Sequence, residues 1–223
     1  VGPQTKWIKN KFSNLNLLIK ILFGAILINF VIIYLSKSYS LISNFIIISS
    51  IFLILSSLND LYKTIKQRKI DLSRIISHSG FGFLILFIGL NYNFSLEKDL
   101  NLKVGEARKF ENYLLEFKNL QLKDFKNYKA VVGEFKIKNL KENLELTLNP
   151  EIRIYESPNT ITYEASIRTG ILKDYYLTMS NIDRSEYYNI KFQKKPFMLW
   201  IWISVIFISL GGFLRLFKNE KNY

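Results

Sequence analysis

The residue best suited to chemistry in this sequence is its one histidine, His78. The 223-residue chain has no cysteine and a single histidine. It therefore has no disulfide, no thiolate nucleophile and no cysteine-ligated cluster or zinc site. A two-histidine metal site or a Ser-His-Asp triad would have to form around His78 alone. The carboxylates between residues 92 and 196 show no distinctive spacing, so we predict no catalytic residue in this chain.

The neighbours of His78 suggest what it binds. It lies within the run IISHSGFG, and an ionisable group inside an apolar helix usually has a partner or a function. On a helix, Phe81, Gly82, Ile85 and Gly89 follow at i+3, i+4, i+7 and i+11 and share its face. This combination suits a flat macrocycle ligated by His78, with Phe81 and Gly82 beside it. It equally suits a tightly packed helix in which His78 hydrogen-bonds a neighbour.

Four apolar blocks must position this residue. Each is close to the ~20 residues that a helix needs to cross the hydrocarbon layer, and we predict four transmembrane helices: Leu17–Leu35, Leu41–Leu58, Ile75–Tyr92 and Phe197–Leu214. The first block is too long for a signal-peptide core and no small-x-small cleavage site follows it. The chain is also too short to bury four such helices in a soluble core.

The distribution of charge predicts the topology. The net charge is +13, and most of the excess lies before the first block, between Asn59 and Arg74, and after the last block. By the positive-inside rule both chain ends are cytoplasmic, and the stretch from about Asn93 to Lys195 lies on the opposite side. The basic clusters are explained by this topology, so we predict no nucleic-acid partner.

The stretch between the third and fourth helices has apolar residues at period two, which is typical of strands. Tyr128, Ala130 and Val132 alternate, and Phe135 continues in the other phase, which suggests a bulge at Gly133. Similar runs follow up to Phe192, separated by turn signals such as Asn149-Pro150 and Ser157-Pro158-Asn159. About seven short strands predict a small antiparallel sandwich or barrel.

The predicted fold class is therefore a membrane protein, an α-helical bundle of four transmembrane helices with an inserted all-β extracytoplasmic domain. Residues 1–92 form a cytoplasmic lead and the first three helices, with the histidine-bearing helix at 73–92. Residues 93–195 form the β domain. Residues 196–223 form the fourth helix and a cytoplasmic tail.

The order of these features resembles the CcmF/NrfE family, the haem lyase subunits of cytochrome c maturation, and specifically its C-terminal part. The resemblance extends from about Ser73 to Leu216 and is carried by an ordered set rather than by one motif. Its members are the His78 helix, Glu97-Lys98-Asp99, Val104-Gly105-Glu106, Pro150–Tyr155, Tyr163-Glu164-Ala165, Asp174–Leu177, Lys195–Trp202 and Gly211-Gly212.

The resemblance implies that His78 is an axial ligand of the iron of a b-type haem. The resemblance also implies that the second ligand is a histidine of an upstream transmembrane helix, and this chain has no other histidine. It also implies a multi-pass protein of the bacterial cytoplasmic (inner) membrane with a periplasmic β domain, the mitochondrial inner membrane being the alternative. The chain would be the C-terminal piece of a longer haem lyase, or a split subunit that is inactive alone.

The implied function is covalent, thioether-forming haem attachment to apocytochrome c, with quinol as a source of electrons. The implied partners are the N-terminal part of the same protein, a haem chaperone, apocytochrome c, thiol-handling maturation subunits and membrane lipid. Two alternatives stay open. In the first, the chain serves the paralogous system for a nitrite-reductase cytochrome. In the second, it is a non-catalytic β module on a membrane anchor, with His78 a packing residue.

Overall fold

A computed structural model describes residues 15–36, 40–66, 71–181 and 185–217. The described chain divides into two compact units. The helical unit contains the residues up to Phe94 and those from Phe197 onward, and the β unit is Ser95–Pro196. Each unit is described separately below.

The helical unit consists of α1 (Leu15–Ser36), α2 (Leu41–Lys66), α3 (Leu72–Phe94) and α4 (Met198–Leu216). All four are long and apolar enough to cross a membrane, which confirms the predicted set of spans. The sequence predicted that a loop begins at Asn59. This was wrong, because α2 continues to Lys66. Within this extension Thr64 is buried, and Asp60 forms a 2.8 Å ion pair with Arg74 of α3.

α3 packs between α2 on one side and α4 on the other. Glycines allow both approaches. A Cβ on Gly82 would lie 2.7 Å from Ile54 Cγ1 of α2, and a Cβ on Gly80 would lie 3.0 Å from the Ile208 nitrogen of α4. Contacts this short leave no room for a side chain, so the glycines set the spacing between the helices.

The contact between α3 and α4 is closest at Gly211. A Cβ there would lie 2.2 Å from Ser77 Oγ and 2.7 Å from the Ser77 nitrogen. The buried Ser73 hydroxyl donates a 2.7 Å hydrogen bond to the Gly211 carbonyl, which ties the two helices together. The adjacent Gly212 faces open space, so only one residue of the Gly211-Gly212 pair packs closely.

The β unit is a sandwich of two antiparallel sheets, and it confirms the predicted all-β domain. A six-stranded sheet has the order β2-β3-β4-β6-β7, with β5 also paired to β4, and a four-stranded sheet has the order β1-β10-β9-β8. The strands are β1 (Leu96–Leu102), β2 (Ala107–Phe110), β3 (Tyr113–Asp124), β4 (Tyr128–Asn139), β5 (Leu144–Leu148), β6 (Glu151–Glu156), β7 (Asn159–Glu164), β8 (Ser166–Arg168), β9 (Lys173–Asn181) and β10 (Tyr188–Pro196).

Aromatic rings from both sheets fill the core of the sandwich. Phe117 and Phe135 stack with their centroids 4.2 Å apart on neighbouring strands of the larger sheet. Phe192 of the smaller sheet contacts Phe110 and Tyr113 at centroid distances of 5.4 and 5.2 Å. Burial of such rings contributes several kilocalories per mole in total, so this core holds the two sheets together.

The predicted bulge at Gly133 was wrong. The register shift lies on the partner strand β3, between Phe117 and Asn119, so Lys118 is the extra residue. Gly133 is instead a core position, where a Cβ would lie 2.6 Å from Phe135 Cε2 and 2.8 Å from Met179 Sδ. The sequence pattern located the change of phase in β4, but the bulge that it predicted there lies on the partner strand β3.

The two neighbouring glycines of α4 give a matched test of helix packing. We expect Gly211→Ala to lower the free energy of unfolding of the detergent-solubilised chain by about 1–3 kcal/mol, because the new Cβ would overlap Ser77. Gly212→Ala should be neutral or stabilising by up to about 1 kcal/mol, because it meets no atom and alanine favours a helix. Thermal unfolding followed by circular dichroism measures both, and equal effects would contradict this packing.

Candidate functional site

His78 lies on a face of α3 that neither α2 nor α4 covers. The same face carries Phe81, Ile88 and Tyr92, whose exposed fractions are 50%, 49% and 68%. His78 is itself exposed, and Ile85 is partly exposed. Residues spaced by three, four or seven positions lie above one another on a helix, so these side chains form one continuous stripe. We call it the His78 stripe.

The glycines predicted to share the face of His78 lie away from the stripe. Gly82 and Gly89 are buried and face α2, where a Cβ would lie 2.7 Å from Ile54 and 2.9 Å from Ile47, respectively. Phe81 is therefore placed beside His78, whereas the space next to Gly82 is filled by Ile54. Contact between Gly82 and a cofactor stays a prediction; the contact in the structure is with a helix.

The imidazole of His78 makes no hydrogen bond with any residue of the described chain. The structure therefore gives no support to the alternative in which His78 hydrogen-bonds a neighbouring helix. A neutral imidazole has one nitrogen with a free lone pair, and that nitrogen is the one that binds a metal. An unpaired imidazole facing hydrocarbon is costly, so the stripe is a favourable place for a group that ligates it.

Other ionisable groups near His78 are already engaged. Arg74, one turn before it, donates from Nη2 to Asp60 Oδ2 at 2.8 Å. Within the described ranges no three His, Cys, Asp or Glu side chains are grouped closely enough to hold a metal ion. A metal at this face would therefore have to bring its own scaffold of donors, as the iron of a porphyrin does.

The far end of the His78 stripe borders an apolar cavity of about 280 Å³ between the start of α2 and the end of α3. Ile88, Tyr92 and Ile46 line it. Beside it Ser43 Oγ donates a 2.8 Å hydrogen bond to Asn93 Oδ1. Ten residues of helix separate Ile88 from His78, which is about 15 Å along the axis. The sequence had not singled out this cavity, although serine and asparagine inside apolar runs were a signal for it.

The residues present fit one axial position of a haem. His78 supplies the nitrogen, Phe81 supplies an aromatic surface one turn away, and no protein side chain among the described residues occupies the nitrogen's free position. A second imidazole cannot come from this chain, because His78 is its one histidine. The arrangement can hold a haem on one side and leaves the other side to another segment.

Fold and site together define a multi-pass membrane protein that carries an all-β domain between its last two spans. A family model described as "CcmF C-terminal beta-sandwich" matches residues 93–196, the β unit almost to the residue. Residues 93–196 therefore form a domain of this CcmF C-terminal type. The solved structure of "Cytochrome c Heme Lyase CcmF" shares its fold, with a TM-score of 0.69, 18% identity and coverage of 94% of this chain and 35% of that one.

Curated relatives agree with this assignment. The chain is 26% identical over 239 residues to "Cytochrome c-type biogenesis protein CcmF" of Haemophilus influenzae, covering 100% of this chain and 36% of the relative. It is 27% identical over 143 residues to the protein of the same name in Escherichia coli, covering 64% of this chain and 22% of the relative. It is 25% identical over 160 residues to the E. coli "Probable cytochrome c-type biogenesis protein NrfE" (70% of this chain, 28% of the relative). The chain thus spans about a third or less of these relatives.

A stability measurement separates a ligand role for His78 from a packing role. We expect His78→Ala to change the free energy of unfolding of the cofactor-free chain by no more than about 0.5 kcal/mol, because the side chain is exposed and unbonded. Ser73→Ala is the control. It removes the buried bond to Gly211 and should cost about 0.5–1.5 kcal/mol. If His78→Ala costs as much as Ser73→Ala, His78 is a packing residue.

Proposed function

We propose that this chain is a subunit of a cytochrome c haem lyase, in which His78 supplies one axial ligand to a b-type haem. The observation that carries the proposal is the position of the chain's one histidine, unbonded and exposed on the His78 stripe. The match of residues 93–196 to the CcmF family model and the haem lyase name of the structural relative support it.

The second axial ligand is a histidine outside these 223 residues, from the N-terminal part of the same protein, which packs against the His78 stripe. Low-spin, six-coordinate haem needs two such strong ligands. Covering the stripe in this way also removes the exposed apolar surface of Phe81, Ile88 and Tyr92. One addition therefore completes both the ligand set and the packing of α3.

His78, Phe81 and Gly82 have distinct tasks in this proposal. His78 binds the iron through its free nitrogen, and Phe81 packs against the macrocycle. Gly82 acts indirectly, because its contact with Ile54 fixes α3 against α2 and so fixes the position of His78. The haem, when bound, supplies the electrons that keep the haem under attachment reduced. Membrane quinol is the proposed source of those electrons.

The proposed orientation places the β unit on the periplasmic side of a bacterial inner membrane. It rests on the excess of lysine and arginine near the other ends of the helices, among them Lys63, Lys66 and Arg215. The bacterial origin of the relatives supports this location. There the subunit acts with a haem chaperone, apocytochrome c and the thiol-handling maturation subunits, and forms the thioether bonds as part of their complex.

Substitution of His78 tests the function. In the assembled lyase we expect His78→Ala to abolish the low-spin b-type absorption spectrum and to lower cytochrome c yield at least about tenfold, because one imidazole cannot maintain six-coordination. The optical spectrum of the purified complex and the amount of holocytochrome measure the two effects. Added imidazole, which can replace the lost ligand, should partly restore the spectrum.

Ser79→Ala is the matched control. It alters the next residue, whose hydroxyl bonds only to carbonyl oxygens of its own helix, at 2.7 Å to Ile75 and 3.2 Å to Ile76. This variant should retain haem and yield. Normal haem content in His78→Ala at equal protein level would refute the ligand assignment.

A further inference from the structure

The sandwich of the β unit is open at one corner, where two paired strands separate. β6 and β7 pair from Glu156↔Asn159 to Glu151↔Glu164. Beyond Pro150 and Ala165 the two segments of the chain diverge. β5 stays paired with β4, whereas β8 pairs with β9 of the other sheet. The last link between them is a 2.9 Å hydrogen bond from the Asn149 nitrogen to Ser166 Oγ.

The divergence leaves two strand edges facing each other without pairing. Within the described chain β5 pairs only with β4, and β8 only with β9. Unpaired edges present rows of N–H and C=O groups that can accept a further strand. β-sandwiches usually cover such edges, so an open pair at one place indicates a site for strand addition.

A cleft of about 600 Å³ occupies the space between these edges, and we call it the β5–β8 cleft. Its volume lies within the range of about 300–1,000 Å³ that is typical of ligand sites. Apolar side chains line it from both sides, with Leu144 and Leu146 on β5 and Ile171 and Leu172 on the loop after β8. Ile171 and Leu172 are 70% and 60% exposed, an unusual exposure for adjacent branched aliphatic residues.

The Tyr175 hydroxyl and the Arg168 guanidinium indicate the chemistry of the occupant of the cleft. Tyr175 lines the cleft and is 3% exposed, and its hydroxyl interacts only loosely with Tyr113 and Lys173, without a close hydrogen bond to any described residue. A buried hydroxyl that lacks a close partner is costly and is usually satisfied by a ligand or water. The ring packs edge-on to Tyr113, whose own hydroxyl accepts a 3.5 Å hydrogen bond from Asn139 Nδ2.

The charges of the cleft do not cancel. Lys173 pairs with Glu142, and Glu145 pairs with Lys136 and Lys138, the latter at 3.7 Å. Arg168, at the end of β8, is exposed and forms no ion pair with any described residue. The groups named here are four cations, Lys136, Lys138, Lys173 and Arg168, and two carboxylates, so the cleft has an excess of positive charge, which favours an occupant with a carboxylate.

We propose that the β5–β8 cleft binds an extended, acidic peptide segment of a partner protein, which adds as a strand to the open edge. Main-chain hydrogen bonds to the strand edge hold the segment, alternate side chains contact Leu144, Leu146, Ile171 and Leu172, and a carboxylate pairs with Arg168. The Tyr175 hydroxyl donates to the bound segment. This docking site is independent of His78 and of haem.

A defined peptide pair tests the proposal. The probe is a fluorescent nine-residue peptide of alternating threonine and valine with one central aspartate, and its match has lysine in place of aspartate. With the full chain in detergent, we expect saturable polarisation for the aspartate peptide and at least tenfold weaker binding of the lysine peptide. Arg168→Glu should reverse this preference, because it inverts the charge of the basic group in the cleft lining that has no ion-pair partner among the described residues.

Three controls make the result specific. Arg108→Glu changes an exposed arginine on β2, away from the cleft, and should leave both affinities within twofold. Tyr175→Phe should weaken binding severalfold with little change in the melting temperature, because the free chain loses no close hydrogen bond. N-methylation of alternate peptide nitrogens should abolish binding in one of the two possible phases, since a strand offers alternate N–H groups to each edge.

The outcomes that would overturn the proposal are equally definite. One is the absence of saturable binding. Another is a preference between the aspartate and lysine peptides that is the same in wild type and Arg168→Glu. The third is unchanged binding of both N-methylated peptides. Self-association of the chain that Arg168→Glu abolishes, seen by analytical ultracentrifugation, would identify a second copy as the occupant and would also overturn it. Loss of haem from the lyase with intact peptide binding bears on His78 alone.

Discussion

The helical unit depends on the close approach of the α3 backbone to helices on two sides. At Gly80, Gly82 and Gly211 the neighbouring atoms lie 2.2–3.0 Å from where a Cβ would be, so any side chain there would push the helices apart. In a membrane, where apolar burial gives little gain, such packing and the Ser73 hydrogen bond are the main sources of association. With two faces held in this way, α3 leaves the His78 stripe uncovered and available to a further partner.

The same constraint explains why His78 is fixed without a hydrogen bond of its own. The direction of the side chain is fixed by the position of α3. That position is fixed by glycine contacts within about one turn of His78, namely Gly80 against α4 and Gly82 against α2. A ligand held in this manner is rigid because its backbone is rigid, which is the property required to keep a haem in one orientation. The β unit follows another logic, since an aromatic core joins its two sheets and leaves one corner open between β5 and β8.

The sequence predicted those features that depend on one dominant property. Apolar length located all four helices, and alternation located the strands around Tyr128, Ile152 and Tyr175. The extension of α2 to Lys66 was missed because its polar residues carry no membrane signal, while the Arg74–Asp60 pair that accompanies it is a tertiary contact. β1, β2 and β3 were missed as well, although Tyr113, Leu115 and Phe117 alternate and were a usable signal.

For the candidate site, residue type identified His78, but the helical spacing of its neighbours did not show which of them lie beside it. His78 was found because a lone imidazole in an apolar helix is unusual. Periodicity alone could not separate Phe81, on the open face, from Gly82, against Ile54, because both lie within one turn of His78. The β5–β8 cleft was beyond prediction, since it arises where strands change sheets and not from any local pattern.

The most direct test of His78 as a haem ligand uses the fact that the chain has one histidine. Segmental ligation of ¹⁵N-histidine-labelled residues 1–223 to the unlabelled N-terminal part places a single labelled imidazole in the assembled lyase. Electron-nuclear double resonance of the ferric, low-spin haem should then show a ¹⁵N hyperfine coupling that is absent from the unlabelled sample. A haem-loaded complex with no ¹⁵N coupling would contradict the account, because the iron would then have its ligands from elsewhere.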